Sequence, residues 1–420
     1  FRMRVMEAVK AYAAELEQEA LDKANHVPET LPGGLPMPTI RYRPPHTQVP
    51  KHDARDDARQ LFFEALYHKR FEPVDAHVLS LAFADYYTEV LHTQRIPYKS
   101  GTYEPLDGSN QFCKKVTDLT HMFIRKLAAG EISSPISSPP DWDQWTSSVH
   151  AERNRRPKME DRHIACHDLT LWADNNDDGS HKGTALFAVF DGHGGSEVAS
   201  YAAAHFPPIF MEAGAKAEEK TMRTAFQLMD DRLSLRCEKE NWRSGATAVV
   251  AAVDKKNLAL AWCGDSALLI MRATTVERVS RRHVPSDPEE NARVEAAGGV
   301  IVCVQGELRV NAVLNVTRSL GDVQGRPMII SEPDCVEIER GPGDYGLILA
   351  CDGVSDELDD EDFFKHIKEF CTTKPVEAWR DLTAHLCSAA REVGSSDNLT
   401  CMFVFLRPPS DLWSLFAADE

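Results

Sequence analysis

The chain has 420 residues, 43% of them hydrophobic and 27% charged, enough for a sizeable core and more than one domain. With 47 basic against 65 acidic residues, the net charge of −18 argues against a nucleic-acid surface and against electrostatic binding to anionic membranes. No run approaches the roughly 18 apolar residues that span a bilayer, and the first residues lack a signal-peptide core. The sequence opens on Phe1 rather than Met, which leaves a preceding segment open.

Val5, Val9, Tyr12 and Leu16 recur at helical spacing and predict an amphipathic helix over residues 1 to 25. Seven prolines between residues 26 and 50 exclude a regular helix there and predict an extended segment. Helical periodicity returns at 56–71 (Leu61, Phe62, Leu66), at 74–93 (Val78, Leu79, Tyr86, Val90) and at 109–129 (Phe112, Val116, Phe123, Leu127). This N-terminal helical domain, 1–130, carries no catalytic constellation, so a partner-binding or substrate-binding role falls to it by default. Within 131–146, the polar, proline-rich run 133–140 reads as a linker.

From 147 to 408 the texture changes. Short β-rich segments appear at 162–168, 184–190, 246–253, 258–262, 267–272, 300–304, 346–350 and 399–406, with helical patterns at 195–213, 219–240, 288–297, 359–371 and 376–392. Consecutive strands without strict helix alternation predict an α+β domain with antiparallel sheets. Residues 409–420 are set apart as a C-terminal tail.

Ten scattered cysteines without a CxxC pair fit reduced thiols in cytoplasm or nucleus. Cys237 and Arg243 have the gap of a cysteine-phosphatase loop, but Glu238, Glu240 and Asn241 fill it without glycine, so it offers no anion cradle. Sixteen histidines without an HExxH give no reason to expect zinc.

The polar chemistry gathers elsewhere. Leu186, Phe187, Val189 and Phe190 read as a buried strand that ends in Asp191-Gly192-His193-Gly194-Gly195, a setting equally open to a metal turn and to an ordinary turn. Asp265, Asp352 and Asp397 also sit beside glycines at the ends of apolar runs. Four carboxylates converging would repel one another unless hard cations neutralised them, and an oxygen donor set favours Mg²⁺ or Mn²⁺ over Zn²⁺. Arg156, Glu160 and Asp161 add a phosphate-gripping guanidinium and two carboxylates, or else a solvated charged loop.

Arg156-x-x-Met159-Glu160-Asp161, Phe190 to Gly195, Ser244-Gly245-Ala246-Thr247-Ala248, Gly264-Asp265-Ser266, Thr317-Arg318-Ser319-Leu320-Gly321-Asp322, Ala350-Cys351-Asp352-Gly353 and Ser396-Asp397-Asn398 follow one another in a specific order. That order resembles the metal-dependent PP2C (PPM) serine/threonine phosphatases over about 147–408. Gly306 to Asn311, Gly325 to Met328 and Phe405 to Pro409 are similar to the branch holding the calmodulin-dependent-kinase phosphatases and the nematode sex-determination phosphatase.

The resemblance implies an αββα four-layer sandwich of two antiparallel sheets flanked by helices, with a binuclear Mn²⁺ or Mg²⁺ centre at one end. It implies Asp191 as bridging ligand, the Gly192 carbonyl on one ion, Asp352 and Asp397 on the other, and Glu160 with Asp161 on coordinated water. It further implies Arg156 as phosphate-binding residue and His193 as general acid, where the plain alternative is a structural loop histidine. Asp265 and Asp356, with Asp352, match a third, weaker metal position. Arg281, Arg282, Arg293 and Arg309 lie on or near a flap spanning 283–315, and pairing with Glu289, Glu290 and Glu295 is preferred over a substrate-attracting role. Expected partners are phosphorylated protein substrates, kinases among them, and proteins bound by the N-terminal helices; nucleic acid and membranes are not expected. The competing readings are an adaptor built on a phosphatase fold and a two-metal phosphodiesterase.

Overall fold

The computed structural model describes residues 2–25, 48–69, 71, 73–94, 96, 98–132, 145–172 and 183–417. The chain divides into two compact units, Phe1–Asp141 and Trp142–Glu420. The linker expected at 133–140 lies outside the described residues, as does most of the proline-rich run.

In the first unit, α1 (Arg2–Asn25), α2 (Ala54–His68), α3 (Pro73–Tyr86), α4 (Thr88–Leu91) and α5 (Ser109–Ala129) surround an apolar core; β1 (Gln48–Pro50) pairs antiparallel with β2 (Pro105–Gly108). Val5, Val9, Tyr12 and Leu16 of α1 are buried, as their spacing requires. Phe62 and Phe83 stack at 4.3 Å, with Phe123 edge-on to both. The helix expected over 74–93 breaks at Tyr87, and His92 ends its second part in the left-handed region.

The second unit opens with β3 (Thr146–Glu152), β4 (Arg162–Cys166) and β5 (Ala185–His193), followed by α6 (Glu197–Glu212) and α7 (Glu219–Glu240). Next come β6 (Gly245–Val253), β7 (Asn257–Cys263), β8 (Ala267–Arg272), β9 (Val276–Arg278), α8 (Pro288–Ala296), β10 (Ile301–Val304), β11 (Glu307–Val310) and β12 (Leu320–Gly321). The chain closes with β13 (Asp334–Glu339), β14 (Asp344–Ala350), α9 (Asp352–Ser355), α10 (Asp360–Thr373), α11 (Leu382–Val393), β15 (Leu399–Phe405) and α12 (Pro409–Ala417).

One sheet has the order β13-β7-β6-β5-β4, with β12 on β6; the other has β3-β15-β14-β8-β9. Every pairing in both is antiparallel. Side-chain alternation explains why β5 reads as a continuous apolar run: Leu186, Ala188 and Phe190 pack among residues of α6 and α7, while Phe187 and Val189 join Leu269, Leu347 and Phe403 of the other sheet. Helices α10, α11 and α12 add Phe363, Leu386 and Phe416 to that second cluster, completing helix, sheet, sheet, helix.

Two expectations change. The segment expected as one helix over 376–392 begins as a 3-10 turn, Val376–Asp381, after Pro375. The presumed tail is α12 up to Ala417, with Leu412 and Phe416 in the core, because its apolar residues fall four apart.

Candidate active site

Antiparallel pairing brings distant loops to one end of the sandwich. Strand β5 runs out there and β6 begins there, so His193 pairs with Gly245 and Asp191 with Thr247. Residues 264–266 carry the chain from β7 in one sheet to β8 in the other; β14 ends just before Asp352, and β15 begins just after Asp397. The loop between β3 and β4 holds Arg156 and Glu160.

Asp191 and His193 are the last members of the β5 face that carries Phe187 and Val189 between the sheets. Both therefore stand on the strand itself, and the turn begins at Gly194, three residues later than the sequence reading puts it. Gly194 and Gly195 make that turn, with φ of +68° and +139°.

Together these elements enclose a cavity of about 350 Å³ lined by Arg156, Glu160, Asp191, Gly192, His193, Asp265, Asp352 and Asp397. Two of the expected residues stand apart from its wall. Asp161 lies behind it, buried, and accepts a 2.6 Å hydrogen bond from Thr400. Asp356 is half-exposed and paired with Arg282 at 2.8 Å.

The carboxylates are electrostatically crowded. Burial first, then Asp352, Asp161 and Asp265, push Asp191 well above the usual carboxylate value. Asp352 is raised by burial and by Asp397 and Asp356. Burial and Asp352 take Asp265 to about 7 despite Arg282, and burial with Asp352 takes Asp161 to about 6 despite Thr400. Such a set of oxygen donors is short of positive charge, which is what a divalent-cation site requires.

Arg156 donates to Asp397, and that bond is the leading cause of its raised pKa. Its planar group has further donors for a phosphate. The four flap-region arginines are all engaged: Arg281 with Asp287 and Glu289, Arg293 with Glu290, Arg309 with Glu307. Arg309 and Arg282 depart from the expected partners Glu289, Glu290 and Glu295, Arg282 reaching Asp265 at 3.5 Å as well as Asp356.

Two functional residues were quoted in motifs but given no role by the sequence reading. Asp322 accepts a 2.6 Å hydrogen bond from His193 Nε2 and another from Ser319. Burial works against the imidazolium, but the bond and charge of Asp322 outweigh it and raise the His193 pKa. A side chain on Gly245 would meet Asp322 at 2.0 Å and His193 at 2.5 Å, so this glycine makes room for the pair. Asn398 accepts from the Glu160 amide at 2.8 Å and donates to the Arg153 and Lys158 carbonyls at 3.0 and 2.9 Å. It fastens the Arg156 and Glu160 loop to the strand that follows Asp397.

With that geometry in place, the comparisons with known proteins decide the family. The model of protein phosphatase 2C matches residues 145–399. The chain belongs to the PP2C family. Protein phosphatase fem-2 of Caenorhabditis elegans is 34% identical, over 98% of this chain and 93% of that protein. Human protein phosphatase 1F is 36% identical over 66% of this chain, which spans 61% of the human protein. The solved structure of a C. elegans sex-determining protein aligns at a TM-score of 0.83 and 32% identity, covering 99% of this chain and 97% of that one. A Toxoplasma gondii serine-threonine phosphatase 2C structure shares the fold at a TM-score of 0.55 and 20% identity, over 64% of this chain and 96% of its own. This PP2C member is thus a protein serine/threonine phosphatase with an N-terminal helical region in addition to its phosphatase fold.

Proposed function

We propose that this PP2C phosphatase hydrolyses phosphoserine and phosphothreonine in protein substrates with two divalent ions, Mn²⁺ or Mg²⁺, and that its N-terminal helices recruit substrates or partners. The observation that carries the catalytic part is the meeting of four crowded aspartates with Arg156 and His193 on one cavity. Asp191 would bridge the ions, with the Gly192 carbonyl on one and Asp352 and Asp397 on the other. Glu160 faces the same space, and Asp161 supports Asp191 from behind. When bound, such ions neutralise phosphate charge and lower the pKa of the attacking water.

The chain's own groups supply the rest. Arg156 turns guanidinium donors towards phosphate oxygens. His193 holds a proton for the departing serine or threonine oxygen, whose high pKa makes unassisted departure slow. With Nε2 committed to Asp322, the remaining nitrogen, Nδ1, is the one to deliver it. Asp265, Asp352 and Asp356 would hold a third, weaker cation, and the Arg282 guanidinium spans two of the three. The family resemblance favours kinases phosphorylated on threonine as substrates. Ten cysteines, none disulfide-bonded among the described residues, suit cytoplasm or nucleus.

Phosphate release from a phosphothreonine peptide tests the catalytic part: chelation should abolish it and Mn²⁺ restore it, whereas chelator-resistant turnover would defeat the reading. For recruitment, Met122 is an exposed apolar residue of the N-terminal helices, 47% accessible. Met122→Asp should raise KM for a protein substrate while sparing an aryl phosphate; unchanged KM for every protein substrate would count against recruitment through this face.

A further inference from the structure

Helices α10 and α11 bring together three ligand-type side chains outside the catalytic pocket. His366 and Glu369 lie three apart on α10 and so share a face. His385 comes from α11, its ring 5.6 Å from that of His366. One donor atom from each of His366, Glu369 and His385 lies within 4.8 Å of the other two.

One ring nitrogen of each histidine is unsatisfied. His366 Nδ1 and His385 Nε2 are both shielded from water and lack a hydrogen-bond partner. Glu369 approaches His366 Nδ1 only to 3.7 Å, beyond hydrogen-bond reach. An unpaired buried polar atom is costly, and here the fold accepts one on each of two histidines whose rings are in contact.

We propose that His366, Glu369 and His385 form a Zn²⁺ site, with two imidazole nitrogens, one carboxylate oxygen and a fourth position open to water. Two histidines and a carboxylate suit zinc, whereas Mg²⁺ prefers the oxygen cluster of the catalytic pocket. Zinc-to-ligand distances of about 2.0–2.2 Å need the donors to draw inward by about an ångström, and Glu369, 54% exposed, has room to move. Burial and then the neighbouring His366 lower the pKa of His385, which favours the neutral ring that a metal takes.

The position gives the site a consequence for catalysis. Asp352 opens α9, which leads into α10, and α11 leads to Asp397. A zinc clip between α10 and α11 therefore braces the two helices that lie in the chain between Asp352 and Asp397, two of the catalytic-pocket aspartates.

The test is Zn²⁺ titration of the full chain by calorimetry in excess Mg²⁺, which keeps the catalytic cluster occupied. The wild type should take up one more Zn²⁺ per chain than His366→Gln/His385→Gln, and Zn²⁺ should raise the melting temperature of the wild type alone. Should the double variant fail to fold, Glu369→Gln alters only an exposed carboxylate. It should hydrolyse phosphate normally in Mg²⁺ yet bind Zn²⁺ at least roughly tenfold more weakly, since even outer-shell changes at metal sites cost 10–100-fold. Equal Zn²⁺ uptake and affinity in wild type and Glu369→Gln would overturn the proposal.

Discussion

His193 owes its character to a residue 129 positions away. The bond that His193 donates to Asp322 orients the ring and favours its charged form, so its proton is held and aimed by a fixed partner. His193→Ala should lower kcat on an alkyl phosphate by about 10²–10⁴-fold, the usual worth of a general acid, and much less on an activated aryl phosphate. Asp322→Asn should move the descending alkaline limb of the pH profile to lower pH, because it removes the group that holds the proton on His193. Equal losses on both substrates, or an unmoved alkaline limb, would contradict the assignment. At this scale much was legible: Asp191, Asp265, Asp352 and Asp397 stood out as strand-end aspartates beside glycines, Arg156 and Glu160 gained their place through the family resemblance, and all six line the cavity. Asp322 and Asn398 were not given roles, because hydrogen bonds between loops far apart in sequence leave no periodic signal.

Strand β5 shows how an element prepares a site. Its period-2 alternation continues the apolar face of Phe187 and Val189 into Asp191 and His193, while its register with β6 sets Gly245 opposite His193. Gly245→Ala should cost about 1–3 kcal/mol by overpacking and depress turnover together, since the added methyl would occupy the His193–Asp322 contact. Full activity in that variant would mean the contact is dispensable. Strand runs such as 246–253 and helices such as 219–240 were readable because burial on one or both faces stamps a period on the sequence. Strands β3, β9, β11 and β13 carry mixed, partly exposed patterns and were missed for that reason. Likewise, the α10–α11 histidine cluster has no local motif, since its ligands come from two helices.

The whole molecule is an acidic protein, and four of its aspartates meet where the loops of both sheets come together. Without cations, the carboxyls there take up protons on folding: Asp265 titrates near 7 and Asp161 near 6, against 3.8 in an open chain. Folded pKa values raised in this way favour the fold at low pH, and that contribution is lost as pH rises from about 4 towards 7. Divalent ions held there would reverse the balance, because they would bind the ionised carboxylates and must displace protons to do so. Whole-chain similarity fixes the family, whereas the proposed ion dependence rests on this local crowding. The most direct measurement is therefore the rise in melting temperature caused by Mg²⁺ or Mn²⁺, recorded from pH 5 to 8 for the wild type and Asp352→Asn. A rise that is small near pH 5 and grows towards pH 8 in the wild type, and is largely absent in Asp352→Asn, is the predicted result. A pH-independent rise, equal in the two proteins, would contradict the claim that these aspartates hold the catalytic ions.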